Sequence, residues 1–178
     1  MLKPGDRPRH EKTVVGAADD GGDGDAINDD AIRVCMLASG SKGNCIYISH
    51  RSSAVLIDAG LSGIEIERRM ASRGIDPRTI DAIIVSHEHA DHIKGVGVLA
   101  RRHRIPVHMS GQTQKSTADW IGSIPLVTTF SCGAAFAVKD LMIRPFSVSH
   151  DAADPAGFVI GGNGRRLGIA TDLGIATA

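Results

Sequence analysis

The chain of 178 residues carries twenty Lys and Arg against twenty Asp and Glu, with 3% aromatic residues and 21 glycines. That length sets one domain, and a domain of about 150 residues can bury about 70% of the surface its unfolded chain exposes, so a real core is available. Zero formal charge permits an anionic substrate without demanding nucleic acid, scarce aromatics exclude an aromatic-rich recognition surface, and no run approaches the roughly eighteen apolar residues of a membrane span.

Residues 1–31 are expected to form a disordered leader. The stretch AADDGGDGDAINDDA has no periodic apolar face and too little hydrophobic surface to offset the entropy of ordering it. The D-x-[DN]-x-[DN]-G-x5-E spacing of a calcium loop is absent from it. Residues 1–32 hold four basic and eight acidic residues, which leaves sixteen basic and twelve acidic from Arg33 onward, a mild positive excess on the part that folds. From Arg33 the texture changes to short β-rich runs divided by turn residues. RVCMLA, CIYIS and AVLID read as strands, the first two joined by SGSKGN and the next two by HRSS. LSGIEIERRMASRG has helical spacing at Leu61, Ile64 and Met70, with Gly74 placed as its stop. AIIVS then reads as a buried strand, IKGVGVLARRH as a helix, IPVHMS as a strand, and Gln112 to Trp120 as a polar helix. VTTF, FAV and LMIRPFSVS follow as strands, and FVI and RRLGIA flank GGNG, whose glycines and asparagine suit the positive φ of a hairpin turn. Strands dominate with helices interspersed, which gives a mixed α/β layer fold.

Cys35, Cys45 and Cys132 make an odd set without a C-x-x-C pair, and read as thiols in a reducing cytoplasm. The N-terminal MLKPGDRPRHEK has no apolar segment for export, so the expected location is cytoplasmic, with no membrane association.

The chemistry concentrates in SHEHADH, residues 86–92, which places three of the eight histidines with a glutamate and an aspartate directly after an apolar strand. H-E-x-x-H is not met, because Asp91 stands four residues after His87. What stands is H-x-H-x-D-H. At a strand end His87 and His89, two apart, point the same way towards one ion, while the following turn lets Asp91 and His92 reach a neighbouring one. Two histidines do not complete a zinc site, which takes three or four protein ligands, so further ligands are expected from other strand ends. His150 closes one strand, Asp172 another and Asp58 a third; each alone reads as a turn cap, and together with the cluster they read as a site.

The set SGSKGN (Ser39 to Asn44), LIDAG, SHEHADHIKGVGVLAR, SHDAADPAGFVI and ATDLG resembles the metallo-β-lactamase superfamily, and within it the YycJ/WalJ-type metallohydrolases, over about Arg33 to the last residue. The resemblance implies an αββα sandwich, a domain over residues 32–178, and two divalent ions, Zn2+ or Mn2+. It implies that His87, His89 and His150 hold the first ion, that Asp91 and His92 hold the second, and that Asp172 bridges. Asp58 matches the aspartate that orients the histidine loop. Metal-activated hydroxide is the expected nucleophile and Asp91 the expected acid/base partner. The second site's usual further histidine does not follow His150, so the chain is expected to be a fragment with the second sheet and its covering helices mostly missing.

Weaker signals read structurally. GVGVLA fits a dinucleotide fingerprint in form only, since the histidine loop precedes it and no acidic residue stands where a ribose needs one. ARRHR reads as a helix end with favourable basic residues before it reads as a phosphate contact. Lys42 and the SGSKGN donors read as a tight strand connection before an anion-steering site, Trp120 as core edge, and His103 and His108 as structural. The leading functional expectation is a phosphodiester hydrolase attacking DNA from an end, by analogy with the branch it resembles. Hydrolysis of a small cyclic phosphodiester or a thioester, and a non-catalytic fragment, are the alternatives. No oligomeric state is assigned.

Overall fold

A computed structural model describes residues 14–17 and 30–174 of the chain. Aliphatic and β-branched runs broken by glycine and polar turns form β1 Val14–Ala17, β2 Arg33–Ala38, β3 Cys45–His50, β4 Ser53–Ile57, β5 Ala82–Ile84, β6 Val107–Ser110, β7 Val127–Phe130, β8 Phe136–Val138, β9 Leu141–Ser147, β10 Ala156–Gly162 and β11 Arg165–Ala170. The strands form two sheets, a six-stranded one ordered β2-β3-β4-β5-β6-β7 and a five-stranded one ordered β1-β11-β10-β9-β8. In the first sheet β2, β3 and β4 are antiparallel, while β4 to β7 run parallel. Parallel neighbours need crossovers, and helices supply them. Helix α1, Gly63–Ala71, joins β4 to β5; α2, Ala90–Ile93, and α3, Val96–His103, join β5 to β6; α4, Gly111–Ser116, joins β6 to β7.

Alternation of side chains decides the layers. In β4, Val55 and Ile57 face the second sheet while Leu56 faces the helices, so every residue of this central strand is buried. Leu141 and Ile143 of β9, Phe158 and Ile160 of β10, and Leu167 and Ile169 of β11 fill the space between the sheets. On the far side Leu56, Ile83 and Val107 pack against Ile66, Met70, Val96 and Leu99. The outer face of the second sheet carries Met142, Arg144 and Phe146. Among the described residues no helix is long and apolar enough to cross a membrane.

Several expectations are corrected. The second sheet is not mostly missing: β8 to β11, residues 136–170, pair antiparallel in sequence order, and β1 adds a fifth strand at the β11 edge. The leader is not structureless throughout, since Val14–Ala17 pairs antiparallel with β11, extending that sheet by its backbone; the rest of residues 1–29, including the stretch weighed as a calcium loop, lies outside the described residues. In α1 the buried face is Ile66 and Met70, one turn apart, while Ile64 is exposed, because the Ser62 cap sets the phase of the helix. The helix expected from Ile93 breaks into α2 and α3. The Gly95 N–H goes to the Ala59 carbonyl at 2.7 Å, outside the helical ladder, and a side chain there would strike the Leu61 carbonyl. The polar helix ends at Ser116, and Trp120 lies exposed on a short 3-10 turn, Asp119–Ile121, away from any core edge. GGNG is the expected hairpin, with Asn163 at φ +46° and Gly164 at φ +77°.

Phe158 is fully buried between the sheets, its ring edge-on to Phe130 with centroids 5.8 Å apart. Phe158→Ala is expected to lower unfolding free energy by about 3–5 kcal/mol, measured by urea denaturation followed by circular dichroism.

Candidate metal centre

Strands β4, β5 and β6 are parallel, so their C-terminal ends lie on one rim, where side chains leave the sheet together. Asp58 follows β4 at φ +60°, and residues 86–92 follow β5 into α2. From the second sheet, the β9–β10 connection carries His150, and Asp172 follows β11 at φ +52°. Aspartate is among the few residues that tolerate this left-handed backbone, which turns each carboxylate off its strand. Main-chain bonds lock the loops. Asp58 N donates to Ile84 O at 2.9 Å, Ala59 N to His92 O at 2.8 Å, and Asn44 N to Asp91 O at 2.7 Å. Gly60 N donates to Asn44 O at 2.8 Å, and the Asp91 carbonyl occupies the place a Gly60 side chain would need. Ala156 N donates to Ser86 O at 3.0 Å, joining the two sheets at this rim.

Asp58 is 1% exposed, and its carboxylate is filled from a single loop. Oδ1 accepts the Ser86 N–H at 2.7 Å, while Oδ2 takes the Ser86 hydroxyl at 2.8 Å and the His92 Nδ1–H at 2.7 Å. Ser86 Oγ, having donated to Asp58, accepts from His87 Nδ1 at 2.9 Å. The network therefore places protons on Nδ1 of both histidines. His87 Nε2 is left as a lone pair, and that atom is buried with no hydrogen-bond partner.

The ligand atoms of His87, His89 and His150 lie within 4.8 Å of one another, and so do those of His87, His92 and Asp172. His150 Nε2 is 3.2 Å from His89 Nδ1. Asp172 Oδ2 is 2.6 Å from His92 Nε2 and 3.8 Å from His87 Nε2, the imidazole that the two groups share. Asp91 lies outside both, its Oδ2 3.7 Å from His92 Nε2 at the edge of the second. Burial, reinforced by neighbouring imidazoles, pulls the His87 pKa down to about 4, so it is neutral and ready to ligate. Burial also acts against protonation of His92, but the Asp58 and Asp172 carboxylates outweigh it and raise its pKa to about 10. The hydrogen bond from His92 holds Asp172 below the usual carboxylate range. An orphaned imidazole nitrogen and a set of imidazole and carboxylate donors converging around it fit a divalent cation.

Sequence reasoning passed over Ser86, Glu88 and Asn44. Ser86 and Glu88 lie inside the histidine motif, and Glu88 Oε1 accepts Ala153 N–H at 2.8 Å, tying the His150 loop to the histidine loop. Asn44 closes SGSKGN, and its amide reaches Asp91 and His92. Arg102 and His103 pair with Glu67, Arg101 caps the Ile121 and Ser123 carbonyls, and His108 stacks on Phe136. Gly97 packs where a side chain would strike the Ile121 carbonyl.

Residues 38–172 match a family model described as metallo-beta-lactamase superfamily. The chain is 40% identical over 141 residues to exodeoxyribonuclease YycJ of Bacillus anthracis, covering 78% of this chain and 53% of that one. It is 35% identical over 143 residues to exodeoxyribonuclease WalJ of Streptococcus pneumoniae, with the same shares. The chain thus spans about half the length of the curated relatives it matches. Among solved structures, the Rm3 metallo-beta-lactamase superposes with a TM-score of 0.60 at 20% identity, over 72% of this chain and 54% of that one, a likeness of fold alone.

Asp172→Ala removes the carboxylate donor beside His87 and His92 and is expected to abolish metal retention, read as metal content after purification. Asp58→Ala should leave the donors in place but free to turn, and weaken metal affinity by about 10–100-fold in a calorimetric titration.

Proposed function

The chain belongs to the metallo-β-lactamase superfamily, and from that premise we propose that it is a metal-dependent hydrolase of phosphodiester bonds that shortens DNA from an end. The observation that carries the reading is the pair of donor groups sharing His87 at one rim of the sandwich. In this reading His87, His89 and His150 hold one divalent ion, His92 and Asp91 contribute to a second, and Asp172 bridges, with Zn2+ or Mn2+ as the ions. Such ions, when bound, make water acidic and neutralise charge on phosphate oxygens. The chain's own residues set the stage. Asp58 and Ser86 hold the imidazoles, and Asp91, 31% exposed at the rim beside His92, is the group placed to take a proton from water. Asp172, 34% exposed, keeps its negative charge next to His92.

The choice of DNA is supported by relatives named exodeoxyribonucleases at 40% and 35% identity. The hydrolase domain is taken from residue 32 onward, in keeping with the family match that begins at residue 38, and residues 1–31 remain its leader apart from the paired Val14–Ala17. All three cysteines are free thiols, which suits the reducing cytoplasm proposed for the protein.

Purified chain is expected to shorten end-labelled duplex DNA stepwise, to lose that activity to a chelator, and to regain it with Zn2+ or Mn2+. Bis-p-nitrophenyl phosphate and a thioester run in parallel; turnover of the thioester alone would remove the nuclease reading.

A further inference from the structure

The turn between β2 and β3 does more than connect two strands. Residues 39–44 end in Asn44, whose buried side chain reaches the metal centre from the six-stranded sheet, whereas Asp172 follows the five-stranded one. Asn44 Oδ1 accepts the Gly40 N–H at 3.0 Å. A carboxamide has one accepting end, so this bond assigns the other end: Nδ2 faces the histidine loop. There it lies 3.4 Å from Asp91 Oδ2 and 3.0 Å from His92 Nε2. His92 Nε2 is already engaged by Asp172 at 2.6 Å, which leaves the Asp91 carboxylate as the acceptor for the amide. The main chain repeats the grip, with Asn44 N on Asp91 O at 2.7 Å and Gly60 N on Asn44 O at 2.8 Å. Asn44 therefore holds Asp91 by both backbone and side chain, and links it to the loop that follows Asp58.

The glycine pattern of SGSKGN has the same purpose. Gly40 at φ +134° and Gly43 at φ +154° adopt backbone that other residues rarely take, and a side chain on Gly43 would strike Leu61. Their conformation brings the Gly40 N–H back onto the Asn44 amide four residues later.

We infer that Asn44 is a positioning residue for the metal centre, an amide donor that sets the Asp91 carboxylate beside His92 and itself ligates nothing. An NH2 group offers protons, and its nitrogen lone pair is delocalised into the carbonyl, so it orients a carboxylate where it could not hold a cation. The inference rests on the metal reading above and is separable from the choice of substrate.

The test is calorimetric titration of Zn2+ into the full chain stripped with a chelator, for wild type, Asn44→Ala, Asp91→Ala and the double variant. Asn44→Ala should weaken Zn2+ binding by about 10–100-fold, and the double variant should bind as Asp91→Ala alone, because the amide acts through that carboxylate. Wild-type affinity in Asn44→Ala, or an equal further loss on top of Asp91→Ala, would overturn it. Asn44→Asp guards against a folding failure: it keeps the acceptor for Gly40 but turns an oxygen towards Asp91. It should keep the wild-type circular dichroism spectrum when stripped and show altered Zn2+ binding; unaltered binding would also sink the inference. Ions bound by the wild type without any cleavage of DNA would remove the nuclease reading and leave this one standing.

Discussion

The buried carboxylate of Asp58 is the constraint from which the rest of the centre follows. A carboxylate removed from water costs several kcal/mol unless its lone pairs are filled, so an aspartate at 1% exposure needs donors fixed around it. It finds three, and all belong to the loop after β5: the Ser86 N–H, the Ser86 hydroxyl and the His92 imidazole. The dependence runs both ways. The loop cannot relax without stranding the charge, and the charge cannot be accommodated without the loop in this shape. Because β4 and β5 pair in parallel with Ile57 opposite Ile84, the strand ends deliver the two partners side by side before any ligand is involved.

The donors at the rim come from both sheets, which couples the site to the packing of the sandwich. Parallel β5 supplies His87, His89 and His92, whereas the antiparallel sheet supplies His150 and Asp172. Neither group of three donors is complete on one sheet. At the rim the halves are joined by the Ala156 to Ser86 and Ala153 to Glu88 bonds, between the sheets Phe158, Ile143 and Ile169 pack with Ile46, Val55 and Ile84, and Ser52, Ser53 and Asp81 bond Asp140 and Lys139. A ligand set assembled across a packed interface gives cation binding a share in folding, since a separated sheet has no site to offer.

Much of this was legible in the sequence, and the failures have physical causes. The strand runs, the Asn163–Gly164 turn and the H-x-H-x-D-H spacing follow local rules, namely period two, positive φ and alternate side chains on one face. Ile64 was misread because helix phase is set by the cap at Ser62, and two apolar residues six apart do not share a face. The break between α2 and α3 depends on Gly95 meeting Ala59, a contact between segments far apart in the chain. The second sheet was underestimated because FAV, LMIRPFSVS, FVI and RRLGIA each read as a strand, while their joining into one sheet depends on pairing between strands, which no single run displays. Asn44 looked like a turn residue because its own position is a turn; only its reach towards Asp91, 47 residues away, reveals the rest.

His87 and His92 stand with ring centroids 4.0 Å apart, yet their pKa values are driven to about 4 and about 10. Burial acts against the charged form of both, so burial does not separate them. The difference is the carboxylates on His92, Asp58 first and Asp172 second. His92 has Asp172 at 2.6 Å in addition to Asp58 on its other nitrogen, whereas His87 has the Ser86 hydroxyl on Nδ1 and no partner on Nε2. One imidazole is thus held neutral with its lone pair presented, and its neighbour is held as a cation between two carboxylates. Positive charge already belongs at this spot, carried by a proton. Were a divalent cation held here, His92 would have to give up its Nε2 proton, and Asp58 and Asp172 would supply counter-charge to the cation in its place.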